Sequence, residues 1–111
     1  MHQKRFILFC DLLDQEDLIQ SYENYHIKIP EAIEASIKEA GIISMEIFRA
    51  GNRMAMEIIA KEEFSFEIKA QMDHDNPEVI AWEKLMSTFQ QPIPVAQTNE
   101  KWVIGKQIFK L

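Results

Sequence analysis

The stretch "IISMEIFRAGNRMAMEIIA", residues 42–60, limits what this chain can fold into more than any other. Ile43, Met45 and Ile47 alternate with Ser44 and Glu46, and Met54, Met56 and Ile58 alternate with Arg53, Ala55 and Glu57. A period of two places each apolar set on one face of a strand. Gly51-Asn52 separates the two runs with residues suited to a tight hairpin turn. The centre of the chain therefore reads as an antiparallel hairpin with one apolar face, which other elements must cover.

The flanking segments supply those elements. "KRFILFCDL" (Lys4 to Leu12) is a β-rich apolar run, read as a strand buried on both faces. Asp14 is placed to cap a helix from about Gln15 to His26. Pro30 disfavours helical geometry at Ile29 but suits the first turn of a second helix, which runs to Ala40 and stops at Gly41. These two helical pieces read as one bent element. Beyond the hairpin, "KEEFSFEIKAQMDH" reads as helix. "NPEVIAWEKLMSTF" is a clearer one, with Asn76 as cap, Pro77 at the first position, and Val79, Ile80, Leu85, Met86 and Phe89 as its apolar residues. "QQPIPVAQTNE" reads as a loop and "KWVIGKQIFKL" as a closing strand. The order β-α-β-β-α-β is the ferredoxin-like α+β arrangement, four antiparallel strands with helices on one face. A second copy covering the remaining apolar sheet face makes a homodimer, a dimeric α+β barrel, the economical expectation.

A chain of 111 residues, 47% hydrophobic and 27% charged, suits one folded domain spanning residues 1–111. A net charge of −6 argues against nucleic acid as partner, because phosphate-backbone binding needs a basic stripe. The apolar runs are too short to span a bilayer. The basic-then-apolar start "MHQKRFILFCDLLDQ" ends in acids and lacks a small-residue cleavage site, so a cytoplasmic protein is expected. Cys10 is the single cysteine, set among apolar neighbours, and reads as a small buried hydrophobe. Gly-rich phosphate loops, GxSxG, HExxH and paired CxxC are all missing.

Few residues are left to do chemistry. His2 sits near the start, and His74 in "MDHDNP" reads as part of a polar connection between helices rather than a metal ligand. His26 is different. Tyr22 precedes it by one helical turn, so a phenol and an imidazole share a face. An imidazole can donate and accept a proton near neutrality, and a phenol can hydrogen-bond a polyhydroxylated ligand. From spacing alone the plainer reading, a helix-end histidine beside a packing tyrosine, leads. Trp82 and Trp102 are core candidates by the same reasoning, although an indole also makes an apolar platform for a sugar face. Glu83 by itself reads as solvent-facing, and the six methionines as core or dimer packing.

The segments "YENYHIKIPE", "SIKEAGIISMEIFRAGNRMAM", "NPEVIAWEKLM" and "EKWVIGKQIFKL" together resemble the L-rhamnose mutarotase family, in order and over nearly the whole chain. The most specific element is Tyr22-x-x-x-His26 followed by Pro30-Glu31, with Trp82 shortly before Met86. The resemblance implies a small cytoplasmic dimer of ferredoxin-like fold that interconverts the α and β anomers of a 6-deoxy-hexose without metal or cofactor. It makes His26 the proton donor and Tyr22 a sugar contact. A tryptophan pair of the rhamnose enzymes falls on Trp82 and Glu83, and a further sugar-contacting tyrosine falls on Met45. These departures, and the look of "MEIFRAGNRM", bring the chain closer to an L-fucose-acting branch. Two other classes compete: a non-catalytic ligand-binding or regulatory ferredoxin-like module, and a dimeric α+β-barrel monooxygenase-type enzyme in which His26 serves a quinone or haem.

Overall fold

The computed structural model describes residues 2–111. The elements run β1 (Gln3–Leu12), α1 (Glu16–Tyr25), α2 (Glu31–Glu39), β2 (Ile42–Ala50), β3 (Arg53–Lys61), α3 (Phe66–His74), α4 (Pro77–Ser87), β4 (Gln90–Gln91) and β5 (Val103–Ile104). The expected hairpin forms: β2 and β3 pair antiparallel, with Ala50 opposite Arg53 across the turn. Gly51 takes φ 60°, a left-handed conformation that a residue with a Cβ adopts only at a cost. β1 pairs with β3 from Gln3↔Lys61 to Asp11↔Arg53, and its far side pairs with β4 and β5. All pairings are antiparallel, and β2 lies at one edge of the sheet. The architecture is the expected α+β class.

Leu8, Cys10, Leu12, Met54, Met56, Ile58 and Ala60 point to the helix side of the sheet and are buried there. One cluster joins Leu8, Ile42, Met56, Ile58 and Phe64 to residues of α2 and α3. The other joins Cys10, Leu12, Tyr22, Met54, Met86 and Phe89, packed by Leu18, Ile19, Trp82 and Leu85 of α1 and α4. The opposite face holds half-buried Ile7, Phe9, Ala55 and Ile59, exposed Phe48, and the Arg5–Glu57 and Arg53–Asp11 ion pairs. β1 is thus buried at Leu8, Cys10 and Leu12 on its helix side, while Ile7 and Phe9 on the other side are only half-buried, so it is not the strand buried on both faces that was expected. The Met54/Met56/Ile58 stripe fills the helix-side core, so it is not the face left over for a second copy.

Several other expectations are corrected. Gln15, not Asp14, occupies the cap of α1, because Gln15 N–H bonds Leu13 C=O in a tight turn and leaves Gln15 in extended geometry. The pieces on either side of Pro30 are two helices rather than one bent element, separated by the turn after Tyr25. Pro30 itself caps α2. Ile43 is squeezed out of register by a bulge between Ile42 and Ser44, which buries Ile42 and exposes Ile43. α3 starts at Phe66, not Lys61, because the Ser65 hydroxyl accepts from Ile68 N–H and β3 continues to Lys61. Asn76 caps α4 as expected, but Ile80 is exposed. The closing strand shrinks to Val103–Ile104, and Ile108, Phe109 and Leu111 beyond it are exposed.

Candidate functional site

The end of α1 delivers both members of the Tyr22–His26 pair. Tyr22 is a core residue, 4% exposed, wedged among Cys10, Leu12, Met54, Met86 and Phe89. Burial pushes its phenol up to about 12, so the hydroxyl keeps its hydrogen throughout the neutral range. Gln90 Nε2 donates to Tyr22 Oη at 3.1 Å. The other end of that amide, Gln90 Oε1, is buried and finds no partner among the described residues. A buried acceptor left unpaired costs about 1–3 kcal/mol.

His26 follows the last residue of α1, as its cap. Its Nδ1 lies 2.8 Å from the backbone oxygen of Tyr22. A carbonyl can only accept, so Nδ1 carries the hydrogen and donates. In the neutral ring Nε2 is then the unprotonated nitrogen, with a lone pair available to a ligand. The imidazole lies 4.4 Å from the Tyr22 ring centroid and 5.7 Å, edge-to-face, from that of Trp82. Tyr25 closes the group from outside, 6.3 Å from Trp82.

A cavity of about 640 Å³ opens between the sheet and the helices, and Tyr22, His26, Met45, Trp82 and Glu83 all line it. Five residues from α1, β2 and α4, singled out on different grounds, therefore meet in one place. Met45 projects from β2 and is half-buried against the first core cluster. Glu83 is more exposed, and its carboxylate takes a hydrogen bond from Lys101 Nζ at 3.2 Å. A neighbouring groove of about 1020 Å³ runs along the β2 edge and shares Tyr22, His26 and Met45. His26 thus lines both spaces.

Other cavity residues had no signal in the sequence. Gln90 comes from β4, Lys69 and Asp73 from α3, Glu100 from the loop before β5, and Ser36 from α2. Lys69 and Asp73 form a part-buried ion pair one turn apart, which only their i,i+4 spacing could have hinted at. Trp102, read as core, lines the cavity and packs against both clusters. His74 is the last residue of α3 and lies outside the cavity lining. Cys10 is fully buried and its thiol is pushed up to about 11 by burial, which suits packing and not nucleophilic chemistry.

The arrangement offers a proton acceptor with a fixed tautomer, a neutral phenol donor, aromatic walls and a polar rim. Such a set is chemically suited to moving protons on a small polyhydroxylated molecule with apolar faces. Residues 5–111 match the family described as L-rhamnose mutarotase. An L-fucose mutarotase of Xanthomonas campestris pv. campestris is 38% identical over 114 aligned positions, covering 100% of this chain and 90% of that protein. The crystal structure of an L-rhamnose mutarotase from Formosa agariphila superposes with a TM-score of 0.71, covering 97% of this chain and 98% of that one. At 15% identity this last likeness speaks for the fold alone. Neither the non-catalytic module nor the monooxygenase reading draws support from these relatives. With nearly its whole length matched to the family and a full-length relative at 38% identity, the chain belongs to the L-rhamnose mutarotase family.

Proposed function

We propose that this protein interconverts the α and β anomers of a 6-deoxy-hexose in the His26 cavity, with L-fucose preferred to L-rhamnose. The observation that carries the site assignment is the hydrogen bond from His26 Nδ1 to the Tyr22 backbone oxygen, which leaves Nε2 to exchange a proton beside Tyr22 and Trp82. The 38%-identical relative, an L-fucose mutarotase, supports the choice of sugar.

The chemistry needs no more than this inventory. One proton leaves the anomeric hydroxyl and the C1–O5 bond breaks, its electron pair going to O5. O5 takes up the proton that left the anomeric hydroxyl, relayed by the base, and the chain is now an open aldehyde. Rotation about C1–C2 and the reverse steps close the ring on the other face, with no net proton change. His26 Nε2 takes up and returns one proton. Tyr22, held as a neutral phenol, donates a hydrogen bond to the sugar. Trp82 and Met45 supply an apolar wall for the methyl group that distinguishes a 6-deoxy sugar, and Glu83 stands at the cavity rim.

A homodimer is part of the proposal, as is a cytoplasmic setting. Support for the dimer comes from the half-buried apolar residues on the helix-free sheet face and from the exposed Ile108 and Phe109 of the C-terminal segment. Light scattering giving a stable monomer at micromolar concentration would remove the dimer from the picture. Saturation-transfer NMR across L-fucose, L-rhamnose and D-glucose tests the function. Faster α–β exchange is expected for the 6-deoxy sugars and greatest for L-fucose, and equal rates for all three would sink the reading.

A further inference from the structure

Gln90 reaches the cavity through the register of the sheet. It pairs with Leu12, and directly opposed residues on antiparallel strands share a face. Leu12 points into the helix-side core, so the Gln90 side chain points there too, beside Tyr22. Its amide nitrogen donates to Tyr22 Oη, while its amide oxygen stays buried without a partner among the described residues. A leucine would fill the same space and remove the orphaned amide oxygen, but would leave Tyr22 Oη without its partner. Packing therefore does not explain a glutamine here, but the hydrogen bond to Tyr22 does.

Because Oη accepts from Gln90, the single phenolic hydrogen of Tyr22 is not used on Gln90 and remains to donate into the cavity. We infer that Gln90 is a positioning residue of the anomerisation site, which fixes Tyr22 as a hydrogen-bond donor toward the bound sugar. The inference rests on the reading of Tyr22 and His26 as that site. Burial acts to hold the phenol neutral, and the Gln90 bond fixes where its hydrogen goes. The first makes Tyr22 a donor, and the second aims it.

The test compares wild type with Q90L, Q90E, Y22F and the Y22F/Q90L double variant, each by thermal melt and by α–β exchange of L-fucose. Q90L removes the amide and its orphaned oxygen together. It should melt near the wild-type temperature, since it exchanges one orphaned acceptor for another, yet lose about 5- to 150-fold in kcat/KM, the span for one buried hydrogen bond left unmade. Q90E keeps the shape but offers Tyr22 an acceptor, so the phenolic hydrogen turns away from the sugar and the loss should match. In the Y22F background Q90L should add nothing, because Gln90 acts through the missing hydroxyl. Tyrosine ring-carbon NMR supplies a readout that a packing role would not move, with Tyr25 as internal reference. The Tyr22 Cζ resonance should shift on adding L-fucose to wild type and not to Q90E. Full exchange activity in Q90L, or losses that add in the double variant, would overturn the inference while the function stands. A wild type inactive on every sugar would overturn both. Should Q90L fail to fold, Q90E decides by the same rate and resonance criteria.

Discussion

Replacing His26 with alanine separates chemistry from stability, because the structure makes the two effects very different in size. The imidazole is half-buried and makes one side-chain hydrogen bond, from Nδ1 to the Tyr22 carbonyl at the end of α1. Losing such a bond costs about 0.5–1.5 kcal/mol, and water can reach the freed carbonyl once the ring is gone. A change of about 1 kcal/mol lowers the melting temperature by about 4–8 °C in a domain near this size. Against a typical total of about 5–15 kcal/mol, nearly every molecule stays folded at room temperature. The exchange rate should nevertheless fall about 10²–10⁴-fold, the contribution of a positioned general acid–base group. Saturation-transfer NMR on L-fucose gives the rate, and circular dichroism gives the melt on the same sample. Added imidazole should restore part of the rate in His26→Ala, since the substitution leaves ring-sized space beside Trp82. A variant that melts normally and exchanges anomers near the wild-type rate refutes the assignment of His26.

Further outcomes follow from the same geometry. Burial raises the Cys10 thiol from its ordinary 9.0 to about 11, so above pH 9 the unfolded chain sheds a proton that the folded chain keeps. Stability falls as pH rises through that window, by on the order of 2–3 kcal/mol for two units; urea midpoints on either side of pH 9 should show the first part of the fall in wild type and not in Cys10→Ala. Trp82→Phe should keep the fold but abolish most of the emission change on adding L-fucose, and Trp82→Ala should raise KM roughly tenfold, the scale of 1–2 kcal/mol of buried apolar contact; an unchanged KM would remove Trp82 from the sugar wall. Gly105→Ala should destabilise the chain by about 1–3 kcal/mol through overpacking, because its Cβ would lie 2.7 Å from a Phe9 ring carbon and 3.3 Å from the Ile7 carbonyl oxygen. Thermal melts of Gly105→Ala alone and with Phe9→Leu check this, the second change being expected to relieve the clash.

Local patterns carried the fold where physics is local. The alternation of Met54, Met56 and Ile58 survives intact in β3, because a central strand is paired on both sides and keeps strict register. β2 is an edge strand, free to absorb an extra residue, and there the alternation misleads: the bulge after Ile42 turns Ile43 outward. Asn76-Pro77 was legible because cap and first-turn proline act on their own neighbours. Asp14 was not, since which polar residue caps α1 depends on the turn that Leu13 and Gln15 close. The short β5 has a similar cause. "KWVIGKQIFKL" is strand-like throughout, but an extended run becomes a strand only where a partner lies beside it, and pairing with β1 reaches only as far as the Gly105 bond to Ile7.

The site divides along the same line. Tyr22 and His26 were legible because one turn of helix brings them together, so their spacing is already their geometry. Gln90 could not be found this way: it is 68 residues from Tyr22 along the chain, in a run of glutamines and prolines with no period. Only the β1–β4 pairing makes them neighbours. Lys69 and Asp73 were hidden differently, as an ordinary i,i+4 surface pair on a helix whose packing against α4 turns them to the cavity. Their position bears on Met45 and Glu83, the two places where resemblance implied an aromatic residue. Met45 gives the β2 side of the cavity a wall without a hydroxyl, while Lys69, Asp73 and Glu100 line it from elsewhere. On the proposed reading, hydroxyl recognition lost at Met45 is therefore available from α3 and the loop before β5. A change of sugar preference within the family then needs no change in the His26–Tyr22 pair, because the polar contacts can move around the wall while the proton chemistry stays at the end of α1.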